Sequence, residues 1–181
     1  MNTLYGSVQN NILAKAQQIR LLVCDVDGVF SDGRIYLGND GEELKAFHTK
    51  DGFGIKALGA SGVSVAIITG RNSEIVTKRM KALNVAYIIQ GQEDKLPALI
   101  HLTQQLGIDL NEVAYIGDDV PDLSCIKAVG LGISVADAHP LVLRNADYTT
   151  FTHGGFGAVR ETCDLIMQSQ GTLASASGAS I

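Results

Sequence analysis

The chain turns on one stretch, Leu21-Leu22-Val23-Cys24-Asp25-Val26-Asp27-Gly28-Val29-Phe30. A short apolar run stops at two carboxylates and a glycine. Its length, apolar character and terminal turn signal predict a buried strand. In an open α/β sheet, chemistry gathers beyond the carboxyl ends of the strands. Asp25 and Asp27 stand two apart, so on extended backbone they point the same way. Two such carboxylates raise each other's pKa unless a cation lies nearby. Oxygen ligands of this kind suit Mg²⁺. Taken alone, the pair reads first as an acidic turn after a strand.

The remaining sequence repeats the strand-then-turn pattern. A helix is expected from about Asn10 to Arg20, ahead of the first strand. Arg34–Leu37 and Glu43–His48 read as a hairpin around Gly38-Asn39-Asp40-Gly41, whose residues tolerate positive φ. Helices follow over Asp51–Ser61, Ser73–Leu83, Asp94–Leu106, Pro121–Val129, His139–Asn145 and Gly157–Gln168. Strands lie between them at Val63–Ile68, Val85–Ile89, Val113–Ile116 and Leu131–Val135. Ser73 is placed to cap its helix, and Gly107 to end the one before it. This alternation predicts a single α/β domain over residues 1–181, with a Rossmann-like parallel sheet flanked by helices and right-handed crossovers. The hairpin, about residues 33–48, is an insertion.

Composition narrows the function. An apolar fraction of 46% and a charged fraction of 18% are those of a globular domain. A net charge of −5 argues against a general nucleic-acid or anionic-membrane surface. Cys24, Cys125 and Cys163 have no metal or disulfide spacing and read as buried free thiols. Neither a leader nor a membrane span is legible, so a cytoplasmic protein is expected. From Gly171 the chain is rich in Gly, Ala, Ser and Thr. It reads first as a mobile terminus, and otherwise as an arm docking on a neighbour through Leu173 and Ile181.

Three further strand ends carry polar groups. Thr69-Gly70-Arg71 offers a hydroxyl and backbone N–H groups for phosphate oxygens. Lys95 opens a helix, where a cation is placed against the dipole. Gly117-Asp118-Asp119, with Asp122, puts carboxylates at the same edge as Asp25. Asp119 and Asp122 read equally as helix caps.

In this order the motifs resemble the haloacid dehalogenase superfamily: D-x-D-x-[TV], a Ser or Thr, a Lys, then G-D-D. Here they are Asp25-Val26-Asp27-Gly28-Val29, Thr69, Lys95 and Gly117-Asp118-Asp119 with Asp122. The resemblance extends to that superfamily's 3-deoxy-D-manno-octulosonate 8-phosphate phosphatases. It runs through Ser31-Asp32-Gly33, His48-Thr49-Lys50-Asp51-Gly52, Ala136-Asp137-Ala138-His139-Pro140, His153-Gly154-Gly155-Phe156-Gly157-Ala158 and Gly178-Ala179-Ser180-Ile181. It implies a phosphoric monoester hydrolase of lipopolysaccharide biosynthesis, with the hairpin as a minimal cap. It also implies a homotetramer in which each subunit helps to cover a neighbour's site.

By resemblance, Asp25 attacks phosphorus and Asp27 moves the proton. Thr69 and Lys95 complete the catalytic set, and Mg²⁺ is held by Asp25, Asp118 and the Asp27 carbonyl. The substrate contacts implied are Asp27, His48, Thr49, Lys50, Asp51, Gly52, Lys56, Thr69, Gly70, Arg71, Arg79 and Lys95. From spacing alone, Lys56 and Arg79 read as exposed helix residues. Two departures touch substrate contacts. Lys50 stands where an Arg is common, which loses the bidentate fork, and Phe156 stands where a basic residue is frequent.

Three other readings compete. One is a phosphatase for a nonulosonate 9-phosphate. Another is a non-catalytic module partnering a sugar nucleotidyltransferase, against which the presence of Asp25, Asp27, Lys95 and Asp118 argues. The third is a dinucleotide binder, since Gly52-Phe53-Gly54-Ile55-Lys56-Ala57 matches G-x-G-x-x-A. Those glycines follow the hairpin rather than the first strand, which weakens that match.

Overall fold

The computed structural model describes residues 2–176. In chain order its elements are α1 (Asn10–Gln17), β1 (Leu21–Cys24), β2 (Tyr36–Leu37), β3 (Glu43–Leu44), α2 (Thr49–Ala60), β4 (Ser64–Ile68), α3 (Glu74–Ala82) and β5 (Tyr87–Ile89). They continue with α4 (Lys95–Leu106), β6 (Val113–Gly117), α5 (Leu123–Ala128), β7 (Leu131–Ser134), α6 (Pro140–Leu143), β8 (Tyr148–Thr149) and α7 (Ala158–Gln170).

The main sheet has the order β5-β4-β1-β6-β7-β8, and every pairing in it is parallel. The chain builds outward from β1 through β4 to β5, then returns to the other side of β1 for β6, β7 and β8. β1 thus lies at the reversal of strand order, where crevices open beyond the carboxyl ends. All four β1 residues are buried, as a strand covered on both faces requires. Helices α1, α2 and α7 pack together as one layer, and α4 packs with α5 in another.

Local chemistry accounts for several departures from the sequence reading. The expected helix over 121–129 opens instead as a 3-10 turn, Val120–Asp122, capped by Asp119 and holding Pro121; α5 begins only at Leu123. β8 has no counterpart in the sequence reading, because two residues, Tyr148 and Thr149, make no apolar run. The hairpin is real but short. β2 and β3 pair over two residues each, Tyr36 with Leu44 and Leu37 with Glu43. Tyr36, Leu37 and Leu44 are exposed, so no core prolongs the ladder. Leu173 packs against this chain's own core as part of a 3-10 turn after α7. The Ile181 contact lies outside the described residues.

The three cysteines are buried and free. Gly52 and Gly54 lie inside α2, packed against Arg79 and Arg160 respectively, so the glycine pattern serves helix packing and not a nucleotide loop. Among the described residues, no helix is long and apolar enough to cross a membrane.

Candidate active site

The carboxyl ends of β1, β4 and β6 open onto one cavity of ≈ 490 Å³. Asp25, Asp27, Thr69, Gly70, Arg71, Lys95 and Asp118 all line it. Asp25 continues the β1 ladder, its N–H donating to the Ile116 carbonyl at 3.0 Å. The chain then turns sharply, with Val29, Phe30 and Ser31 all donating to the Val26 carbonyl. Gly28 sits in that turn at φ +86°, and a Cβ there would lie 2.1 Å from Asp118 Oδ2. Only glycine lets the turn bring the two acidic strand ends this close.

Lys95 is the first residue of α4 and is buried. Its ammonium lies 2.9 Å from Asp25 Oδ2 and 2.7 Å from Asp122 Oδ1. Burial works to lower its pKa, but the two carboxylates more than reverse this, so it stays charged. The same two bonds offset the cost of a cation at a helix N-terminus.

Asp122 proves to be both cap and ion-pair partner. Its Oδ1 also accepts from Tyr115 Oη at 2.7 Å. Its Oδ2 accepts from the N–H groups of Asp118 and Asp119 at 3.0 and 3.2 Å. Asp119 is exposed and caps the 3-10 turn through Val120 N–H.

Asp25, Asp118 and Asp122 place one carboxylate oxygen each within 4.8 Å of one another. Both oxygens of Asp122 are taken by donors, which leaves Asp25 and Asp118 as the available pair. Asp25 Oδ1 is buried without a hydrogen-bond partner. Burial first, then repulsion from Asp122, pushes the Asp25 carboxyl up to about 6. Burial, then Asp25 and Asp122, pushes Asp118 up to about 8. An orphaned buried oxygen and two destabilised carboxylates fit a divalent cation with oxygen ligands.

The Asp27 carboxylate turns away from this corner toward the hairpin. It pairs with Lys45 Nζ, which is itself 3.3 Å from Glu43 Oε1. Arg71 lies 3.9 Å from Asp27 Oδ2 and bonds Glu43 Oε2 at 2.7 Å. Thr69 is buried, with its N–H on the Ile89 carbonyl and its own carbonyl accepting from Gln92.

Residues 84–160 match the family model for haloacid dehalogenase-like hydrolases. The chain is 51% identical to the 3-deoxy-D-manno-octulosonate 8-phosphate phosphatase KdsC of Salmonella typhi, over 99% of this chain and 95% of that one. The crystal structure of the same phosphatase from Yersinia pestis superposes with a TM-score of 0.98 at 51% identity, covering 100% of this chain and 98% of that one. A third relative is the Moraxella catarrhalis phosphatase in complex with magnesium, phosphate and KDO. It has a TM-score of 0.91 at 48% identity, covering 93% of this chain and 97% of that one. This chain belongs to the KdsC family of haloacid dehalogenase-like hydrolases.

The remaining residues that the KdsC resemblance implies do not line the cavity of this chain. His48 caps α2, its Nδ1 accepting from Lys50 N–H at 3.1 Å, and Thr49 and Lys50 are exposed. Asp51 is buried and faces α7, where Arg160 N–H donates to it at 2.8 Å. The N-cap position of α7 is Gly157, which has no side chain to cap the helix, so Asp51 supplies a cap from another helix. Gly52 packs under Arg79. Lys56 lines a separate cavity of ≈ 570 Å³ with Ala60, Asn84 and Tyr87.

Sequence reasoning missed Tyr115, Glu43 and Lys45. Tyr115 sits within an apolar strand and carries no separate signal. The Glu43-Leu44-Lys45 alternation was a signal, since it puts two charges on one face of the hairpin.

Proposed function

We propose that the protein hydrolyses 3-deoxy-D-manno-octulosonate 8-phosphate to the free sugar acid and phosphate. The observation that carries this is Asp25: buried, paired with Lys95 through one oxygen, and holding the other free at a cavity shared with Asp27, Thr69 and Asp118. The names of the relatives support the substrate.

In this reading an Asp25 oxygen forms a bond to phosphorus as the bond to the sugar oxygen breaks, giving an aspartyl-phosphate. Asp27 gives a proton to the departing oxygen and takes one from the water that then attacks phosphorus. That second displacement returns the Asp25 carboxylate and releases phosphate. Thr69 and the N–H groups of Gly70 and Arg71 orient the phosphoryl oxygens, and Lys95 offsets their charge. Asp25 and Asp118, with the Asp27 carbonyl, would hold Mg²⁺, which when bound neutralises charge on the transferring group. Arg71 takes the carboxylate of the sugar acid.

We also read the protein as a cytoplasmic homotetramer of lipopolysaccharide biosynthesis. Supporting the assembly, the hairpin exposes Ile35, Tyr36, Leu37 and Leu44, an apolar surface of the kind that subunit contacts cover. His48, Thr49, Lys50, Lys56 and Arg79 then act on substrate across a subunit boundary.

The test is phosphate release with Mg²⁺ from the octulosonate ester, a nonulosonate 9-phosphate and a hexose 6-phosphate. The expected result is preference for the octulosonate ester. Preference for the nonulosonate would keep the chemistry and overturn the substrate.

A further inference from the structure

Glu43 and Lys45 flank the exposed Leu44, and each pairs with a residue that lines the cavity, Lys45 with Asp27 and Glu43 with Arg71. Lys45 has no exposed side-chain surface; its charge is shared by Asp27 and Glu43. Glu43 in turn holds the Arg71 guanidinium. These four residues are two carboxylates and two cations, and each charge meets an opposite one. Lys95, the other cation lining the cavity, is committed to Asp25 and Asp122. Among the described residues, a second anionic group on a substrate therefore meets no unpaired cation lining this cavity. The group that Arg71 already holds is a carboxylate, the same chemistry that a sugar acid presents.

We propose that Glu43 is a built-in competitor for the Arg71 subsite. It occupies the guanidinium in the empty protein, yields it to the carboxylate of the bound sugar acid, and reclaims it as the product leaves. The inference rests on the substrate class proposed above. Its consequence is weak retention of the product, which has lost the phosphate but kept the carboxylate. An ester without a carboxylate leaves the Glu43–Arg71 pair intact and gains nothing from its removal beyond one fewer negative charge nearby.

Glu43→Gln keeps the side-chain shape and removes the competing charge. Calorimetric titration with free 3-deoxy-D-manno-octulosonate, and separately with inorganic phosphate, reads the effect in native protein and variant. The ion pair is partly exposed, so the expected gain in sugar acid affinity is about two- to five-fold. Inorganic phosphate should shift by clearly less. In turnover, KM for the octulosonate ester should fall, with KM for a hexose 6-phosphate nearly unchanged. Equal tightening of both ligands would reduce Glu43 to a general repulsive charge and overturn the proposal. Weaker sugar acid binding would make Glu43 a substrate contact and overturn it too, as would no binding to either form. Binding is read apart from catalysis. Native protein that releases no phosphate, beside a variant that binds the sugar acid more tightly, would sink the proposed reaction and leave this inference standing.

Discussion

At the sheet edge, one buried ammonium serves a corner with three carboxylates; at the hairpin, two carboxylates meet two cations and the charges balance. The sheet-edge group is held by ladder hydrogen bonds, a helix start and a capped turn, and Asp25 and Asp118 in it are raised well above their ordinary range. The hairpin group hangs on a two-residue ladder whose apolar side chains face solvent. Glu43 there sits below the usual range: what desolvation adds is outweighed by Lys45 and Arg71. Charge imbalance is kept where the backbone is most constrained, which is where a metal ion and a phosphoryl group can relieve it. Balance is kept where side chains must exchange partners. The difference suggests a division of labour between bond-making at the sheet and ligand exchange at the hairpin.

The hardest test of that division is Asp122→Ala. It strips the buried Lys95, Tyr115 Oη and two backbone N–H groups of their acceptor. Denaturant unfolding should show a loss of about 3–5 kcal/mol; a loss near that of a surface charge would erase the contrast. Next comes the cation. Mg²⁺ at a hundred times its Kd should stabilise the native protein by about 2.7 kcal/mol, and Asp118→Asn should lose most of that gain. Equal thermal shifts in both proteins would move the metal away from this corner.

Asp51 sharpens the comparison from a third place. Burial pushes its carboxyl up to about 7, against the opposing pull of the Arg160 N–H, Arg79, Arg160 and Lys50. Its folded pKa lies above its unfolded one, so the folded state binds more protons between about pH 4 and pH 7. Its contribution to stability therefore falls as pH rises through that window. Asp51→Asn should remove that slope, gaining roughly 4 kcal/mol relative to native protein between pH 4 and pH 8. Parallel stability curves for the two would contradict the burial account. The smallest effect is expected at the hairpin, where Arg71→Met, which removes a half-exposed guanidinium from Glu43, should cost about 1 kcal/mol or less of stability. A loss as large as that of Asp122→Ala would make the hairpin pair structural.

Much of the site was legible because its residues punctuate strands. Asp25, Thr69 and Asp118 each follow an apolar run, and Lys95 sits at a helix start, where a cation is out of place without partners. The parallel sheet followed from the same alternation. What escaped the sequence depends on distant partners or on very short elements. The role of Asp51 needs Arg160, which lies 109 residues away. The role of Asp122 needs Tyr115 and Lys95 together. β8 is too short to form a pattern, and the hairpin was overdrawn because alternating residues promise a ladder that an exposed pair of strands does not sustain.

The most direct measurement is acid-quenched turnover of the octulosonate ester labelled at phosphorus, with Mg²⁺, in native protein and in Asp25→Asn. The account predicts label bound covalently to the native chain at Asp25, and neither label nor phosphate release from the variant, whose rate should fall by on the order of 10³-fold or more. Phosphate release from Asp25→Asn near the native rate, or label on another residue, would contradict it.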